Sequence, residues 1–477
     1  MTIYQNLIAG EWVGTNATKN INPSDTNEVV GLYADGSAED TKNAIAAAKA
    51  AFPAWSRSGI WERHVILKKA GDEIMARKDE IGALLAREEG KTLPEAIGET
   101  IRASQIFEFF AGEALRLAGE TMPSVRPNIG VEITRDPLGV IGIITPWNFP
   151  IAIPAWKIAP ALCYGNTIVF KPAELVPACS WAIVDILHRA GLPKGVLNLV
   201  MGKGSVVGQA MLDSPDIAGI TFTGSTGTGK RVATSSIEHN RKFQLEMGGK
   251  NPMVVLDDAD LTVAVEAAAN SGFFSTGQRC TASSRLIVTE GIHDKFVAAL
   301  TEKLKTVVVD NAMKAGTHIG PVVDERQLKT DTDYIEIGKK EGAKLAFGGE
   351  LLTRDTPGFY LQPTLFTEAT NQMRISREEI FGPVVSVIRV KDYEEALATA
   401  NDTPFGLSSG IATTSLKHAT HFKRNAEAGM VMVNLPTAGV DFHVPFGGRK
   451  GSSYGPREQG KYAAEFYTTV KTSYTLA

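Results

Sequence analysis

The sequence predicts an α/β protein in which two strand–helix alternations each build a mainly parallel sheet, with an exposed β-ribbon between the opening helices and the first sheet. Three observations carry this. Short β-branched runs at 140–145, 167–171, 196–201, 219–223 and 243–246 alternate with helical segments, the pattern of a parallel sheet covered on both faces. A second alternation starts at 253–256 and runs to about residue 446. From Val125 to Arg135, apolar and polar residues alternate around Asn128 and Gly130, as in a solvent-exposed ribbon.

Along the chain, a short β-like opening precedes an alanine-rich helix over 38–52. Ser37 followed by Asp40 has the look of a helix N-cap, and Pro53 is expected to end the helix. Helical periodicity continues over 61–89, with one interruption, and over 93–117. The ribbon of 119–137 has open edges, which pairing with another subunit covers. In the first alternation the clearest helix is 177–190, closed by Gly191 and Pro193; in the second it is 260–271. The last stretch, 467–475, alternates again and is expected to pair with the ribbon. Ligands of a parallel sheet sit beyond the carboxyl ends of its strands, which singles out Pro146 to Asn148, Lys171 to Glu174, Gly224 to Gly229 and Glu246.

Composition narrows the function classes. A chain of 477 residues, 43% hydrophobic and 21% charged, is a folded protein of two or three domains. A net charge of −4, with no dense Lys/Arg run, leaves no electrostatic footprint for nucleic acid. Residues 137–156 carry no charge, yet Pro137, Pro146, Pro150, Pro154 and Asn148 argue against a membrane helix. Three cysteines cannot form a disulfide framework, and the start lacks a basic-then-apolar leader, so a cytoplasmic location is expected. The eight histidines show no ligand spacing; His418 and His421 share a helix face that no carboxylate or cysteine completes, and no metal is expected.

The chemistry concentrates in a few places. Cys280 lies among small and hydroxylated residues, with Gly277 three positions earlier and Arg279 beside it, a setting in which a thiolate forms easily. Cys163 and Cys179 have largely apolar neighbours and read as core. Glu246 ends an apolar strand just before Gly248, as either a buried structural anion or a base of raised pKa. Asn148, between Pro146 and Pro150, is either a turn former or a rigidly held amide donor. Lys171 and Glu174 share a strand end, either as a solvated pair or as groups that reach ribose hydroxyls; in the second case Glu174 repels a 2′-phosphate and favours NAD over NADP. Gly224 to Lys230 approaches the P-loop pattern, but Arg231 stands where a magnesium-holding Ser/Thr belongs. A nucleotide triphosphatase is therefore the disfavoured rival, and the loop reads as helix-start amides open to a phosphate. Gly202 to Gly208 is one residue too long for a dinucleotide fingerprint and reads as a turn.

Taken together, the stretches 146–150, 171–174, 222–225, 245–250, 277–280 and 379–383 resemble the aldehyde dehydrogenase superfamily in order and spacing. The resemblance implies an aldehyde-dehydrogenase-like fold: a Rossmann-type cofactor domain over 1–118 and 138–248, an α/β catalytic domain over 249–452, and an oligomerisation ribbon and tail over 119–137 and 453–477. It implies NAD(P)-dependent oxidation of an aldehyde to a carboxylic acid through a cysteine thiohemiacetal and thioester. Cys280 is then the nucleophile, Glu246 the general base and Asn148 the oxyanion donor, with Lys157 similar to the lysine behind that asparagine. Thr145, Pro146, Trp147, Lys171, Glu174, Gly204, Gly208, Thr223, Gly224, Ser225, Gly248, Glu379 and Phe381 match cofactor-contacting positions. NAD is the expected cofactor, with NADP less favoured because of Glu174, and a homodimer or homotetramer is implied. Within the superfamily, 276–282 and 451–460 are similar to bacterial semialdehyde dehydrogenases acting on 2,5-dioxopentanoate (α-ketoglutaric semialdehyde), with succinic or another semialdehyde as the alternative. Ser453 and Pro456 depart from the commoner Gly and Arg of that ending, which bears on substrate fit. Arg279 and Thr281 are the candidate substrate contacts, and Arg279 either faces a substrate carboxylate or pairs with a carboxylate of the protein. A catalytically silent binding protein is disfavoured because the nucleophile, base and oxyanion positions are all filled.

Overall fold

The computed structural model describes residues 2–476. The first large sheet has five parallel strands in the spatial order Lys242–Glu246, Gly219–Thr223, Val140–Ile144, Thr167–Lys171 and Leu197–Leu199. Every residue of Thr167–Lys171 and Gly219–Thr223 is buried, so these runs are continuously apolar or β-branched instead of alternating. From Val140–Ile144 the chain crosses to Thr167–Lys171 on one side and later returns to Gly219–Thr223 on the other. That reversal of strand order opens a crevice beyond Ile144 and Thr223, where such sheets bind ligands.

Asn6–Ile8 closes one end of the sheet antiparallel to Leu197–Leu199, with Glu11–Val13 outermost. Ser453–Tyr454 closes the other, pairing Glu246 with Ser453 and Leu245 with Tyr454. Tyr454 stacks on Phe243 with ring centroids 5.0 Å apart, which holds the segment on the sheet. Only Thr468–Leu476 joins the ribbon, running antiparallel to Ile129–Pro137 from Thr468 opposite Pro137 to Leu476 opposite Ile129, with Glu120–Pro123 on the far side.

The second large sheet orders Lys344–Phe347, Thr364–Thr367, Val384–Val390, Ser283–Thr289, Asn251–Val255, Ser408–Ala412 and Met430–Val433, parallel except at its first pair. Arg285 is fully buried within it, and carbonyls of Lys250, Thr399 and Ala400 and the Asn371 side chain take up its donors.

Helix Ala38–Trp55 starts on the expected Ser37 cap, which with Asp40 closes a capping box. Pro53 does not end it, contrary to expectation: the Ser56 N–H still bonds the Phe52 carbonyl at 2.8 Å and the buried Trp55 anchors the last turn. The predicted interruption in 61–89 falls at Arg77, between Ile60–Ala76 and Lys78–Glu89. Leu93–Ala114 ends three residues short of expectation. Among the described residues, no helix is long and apolar enough to cross a membrane.

One buried ion pair ties the carboxyl-terminal segment to the first sheet. Lys157, on helix Ala152–Cys163, bonds the Glu458 carboxylate and donates to Thr221 Oγ1 at 2.7 Å. Removing one partner of such a pair leaves a buried charge unpaired. Lys157→Met is therefore expected to cost about 3–5 kcal/mol of stability, read as a lowered urea midpoint, with much of the loss recovered when Glu458 is also made Leu.

Candidate active site

The site is assembled by one face of helix Leu93–Ala114, on which Glu95, Glu99 and Arg102 recur at helical spacing. Glu95 Oε2 accepts from Thr92 Oγ1 at 3.0 Å at the helix start. Its other oxygen accepts from Ser275 N–H at 3.0 Å, Ser275 Oγ at 2.9 Å and Arg279 Nη2 at 2.9 Å, which clamps the cysteine loop. The loop needs a clamp because Ser275, Thr276 and Gly277 are all left-handed, with φ of 51°, 57° and 66°. That conformation costs roughly 1–2 kcal/mol for each non-glycine residue. At Gly277 a Cβ would lie 2.3 Å from the Gly382 carbonyl oxygen, so only glycine lets the cysteine loop meet the 379–383 loop.

Glu99 does the same for the asparagine loop. One carboxylate oxygen accepts from the N–H groups of Ile151 and Ala152, both at 3.0 Å, at the start of helix Ala152–Cys163. The other accepts from Lys91 Nζ at 2.6 Å, and Lys91 donates onward to the Asn148 carbonyl at 2.8 Å. Asn148 is thereby fixed, and its Nδ2 donates to the Gln278 carbonyl at 3.0 Å, beside Cys280. An amide nitrogen has a second N–H to offer a ligand. The lysine that bonds Asn148 directly, through its carbonyl, is Lys91. Lys157 bonds Thr221 and Glu458, on the face of its helix turned to the sheet.

Cys280 is half-buried on a cavity of about 330 Å³. Its thiol is pushed up to about 12, by burial first and then by the negative charges of Glu246 and Glu379; its own backbone N–H, directed at the sulfur, offsets this only in part. The expected help from Arg279 is absent: its charge is paired with Glu95, with Nη2 bonded to Glu95 and Ser275. Glu246 is buried at the end of its strand. Burial, and then the neighbouring Glu458, hold its carboxyl well above the usual range, while Ser453, Lys157 and Arg457 pull it down.

Facing the crevice, Thr145 and Thr223 carry buried hydroxyls with no partner among the described residues. Buried Lys171 sits 3.7 Å from Glu174, whose carboxylate accepts the Gly204 N–H at 3.1 Å, and Gly204 and Gly208 both pack beside the lysine stem. Ser225 follows Gly224 and caps helix Thr226–Glu238. Glu379 accepts the Gly249 N–H at 2.8 Å and occupies the space a Cβ on Gly248 would need; burial pushes its carboxyl up to about 7. Phe381 has a left-handed φ of 64° and meets Trp147, next to Pro146, edge-on at 5.3 Å. Orphan hydroxyls, a lysine, two separate carboxylates and aromatic rings, gathered from the first sheet's switch point and the 379–383 loop, suit a dinucleotide. His418 and His421, by contrast, both pack on Tyr393.

The cavity is walled by Phe149, Ile153, Trp156, Val440 and Phe446 and is also lined by Arg279, Cys280 and Thr281. Arg102 also lines it and went unnoticed in sequence. Its Nη2 donates to Gln459 at 3.1 Å, but its buried Nε–H has no partner among the described residues, and neither has the indole N–H of Trp156. The available signal was the spacing of Glu95, Glu99 and Arg102 along a helix whose neighbours Ala103, Ile106 and Phe107 are core. With so high a thiol pKa, alkylation of Cys280 by iodoacetamide in the free protein is expected to rise about tenfold per pH unit between about pH 7 and about pH 9. At the alkaline end Glu246→Gln is expected to react faster, because the variant lacks one of the charges that suppress the thiolate.

Comparison with known proteins agrees with this geometry. The family model described as the aldehyde dehydrogenase family matches residues 12–473. The chain is 45% identical to the α-ketoglutaric semialdehyde dehydrogenase of Bacillus subtilis, over 98% of this chain and 97% of that one. It is 42% identical to the 2,5-dioxopentanoate dehydrogenase of Saccharolobus solfataricus, over 99% of each. The crystal structure of betaine aldehyde dehydrogenase from Staphylococcus aureus in complex with NAD+ superposes with a TM-score of 0.97 at 35% identity, over 99% of this chain and 95% of that one. Sequence, fold and site agree: the chain belongs to the aldehyde dehydrogenase family.

Proposed function

We propose that this protein oxidises 2,5-dioxopentanoate (α-ketoglutaric semialdehyde) to 2-oxoglutarate with NAD. The observation that carries the substrate is Arg102, a guanidinium on the wall of the Cys280 cavity whose Nη2 bonds Gln459 and whose Nη1 has no hydrogen-bond partner among the described residues. Open guanidinium N–H groups on a cavity wall are matched best by a carboxylate on the ligand. The apolar rings opposite suit the methylene chain, which leaves the aldehyde carbon at Cys280. Relatives acting on the same semialdehyde, at 45% and 42% identity, support the choice.

In this reading the Cys280 thiolate attacks the aldehyde carbon, and the second Asn148 N–H and the Cys280 backbone N–H stabilise the oxyanion that forms. NAD, when bound, supplies the hydride acceptor. Thr145, Thr223, Lys171, Glu174, Ser225, Glu379 and Phe381 would hold it, and Glu174 favours it over NADP by opposing a 2′-phosphate. Glu246, kept basic by burial, takes a proton from the water that hydrolyses the thioester. The exposed apolar side chains of the ribbon, Val125, Val470, Tyr474 and Leu476, support a homodimer or homotetramer, and three free cysteines suit the cytoplasm.

Initial rates of NADH formation with 2,5-dioxopentanoate, succinic semialdehyde and neutral aldehydes of similar length test the substrate. Arg102→Met is expected to lower kcat/KM for the acidic aldehydes about 30- to 1000-fold and to change the neutral ones little. Equal losses on both would remove Arg102 from recognition. Glu246→Gln is expected to give one equivalent of NADH rapidly and then turn over slowly, because acylation precedes the water step; a variant with no burst that still binds NAD would count against Glu246 as the water base.

A further inference from the structure

We propose that the Ser453 hydroxyl positions the Glu246 carboxylate for the water step by donating a hydrogen bond to its Oε2. The inference rests on the reading of Glu246 as general base. Ser453 lies directly opposite Glu246 in the antiparallel pair at the edge of the first sheet, so the pairing itself brings the two side chains together. Its Oγ accepts the Gly448 N–H at 2.6 Å and stands 2.5 Å from Glu246 Oε2. A hydroxyl has one proton; with Gly448 supplying the hydrogen to Oγ, the serine's own proton is directed at the carboxylate. The other carboxylate oxygen is placed by the same segment. Gly447 has a left-handed φ of 147°, and a Cβ there would come within 2.7 Å of Glu246 Oε1. The stretch 447–453 is thus a cradle for the two oxygens, one located by an absent side chain and the other by a donor.

The charged groups around Glu246 do not replace that donor. Glu458 opposes a second negative charge, Lys157 is engaged by Glu458 and Thr221, Arg457 donates to the Gly448 carbonyl, and the Cys280 thiol faces it from the cavity. Among the described residues, Ser453 alone gives the Glu246 carboxylate a direct hydrogen bond. A buried carboxylate that loses its donor is harder to ionise, so the basic form appears only at higher pH. The sign follows: below the shifted limb Glu246 is protonated and the water step slows, and above it the rate returns.

The test follows the first-turnover NADH burst and the steady rate across pH with 2,5-dioxopentanoate, in the wild type and the Ser453→Gly, Ser453→Ala and Ser453→Thr variants. The burst is expected to be retained in all four. In the Gly and Ala variants the acid limb of the steady rate moves up by about one pH unit, giving about a tenfold loss at about pH 7 that vanishes at alkaline pH, and Thr restores the wild-type limb. Superimposable limbs, or a loss of the same size at every pH, would overturn the proposal, the second because it marks a merely structural role. Glu246→Gln separates the two readings. If it keeps full steady turnover, Glu246 is not the base; if it stops after the burst while the Ala limb stays put, only the role of Ser453 falls.

Discussion

Two carboxylates on one helix face, the partly buried Glu95 and the buried Glu99, set the geometry on which the rest of the site depends. A buried anion without partners is strongly destabilising, so the loops around it settle where their N–H groups and cations can reach it. Glu95 draws in Ser275 and Arg279, and Glu99 draws in Lys91 and the first amides of helix Ala152–Cys163. The nucleophile loop and the asparagine loop are far apart in sequence, yet both hang from neighbouring turns of one rigid element. The Asn148–Gln278 bond then closes the ring between them. Pre-organisation of this kind is what lets left-handed Ser275 and Thr276 persist: the strain is offset by bonds that exist only in that conformation.

The same logic produces an environment that suppresses the nucleophile at rest. Glu246 and Glu379 both raise the Cys280 thiol, and burial adds to them. A surface thiol would be more reactive but also more easily oxidised, since susceptibility follows thiolate character and exposure. Here the sulfur is kept protonated while its attack geometry is already built, with an amide on one side and its own N–H on the other. Charge arriving or leaving nearby therefore acts on reactivity directly, without a conformational change.

How much of this could be read from the sequence depended on range. Strands buried on both faces announce themselves as continuous β-branched runs, so the strands of the first sheet, the ribbon and its partner strand were all legible, whereas the strand order that makes the switch point was not. Cys280, Glu246 and Asn148 stood out because small residues, glycines and prolines around them restrict the backbone locally. Partnerships across the chain left no such mark. Arg279 meets Glu95 over 184 positions and Lys157 meets Glu458 over 301, and nothing near either cation names its anion. Pro53 misled for the opposite reason: a local rule was overridden by the tertiary burial of Trp55. Ser453 was visible only as a departure from the usual ending, and strand pairing was needed to show that it faces the base.

The two cavity arginines show why proximity to the nucleophile is a poor guide to recognition. Arg279 is adjacent to Cys280 in sequence, yet its Nη2 already bonds Glu95 and Ser275, and its Nη1 reaches Asn270 at 3.5 Å. For its Nη2 to turn to a substrate carboxylate, a largely buried pair would have to open, and Glu95 would lose one of the bonds that clamp the cysteine loop. That loss would fall on the nucleophile itself. Arg102 carries no such penalty. Among the described residues its one hydrogen bond goes to Gln459, and its helix is already held by Glu99 and Glu95, one and two turns earlier. Binding a carboxylate there leaves the catalytic loops undisturbed, so substrate choice can change at Arg102 while the chemistry at Cys280 stays as it is.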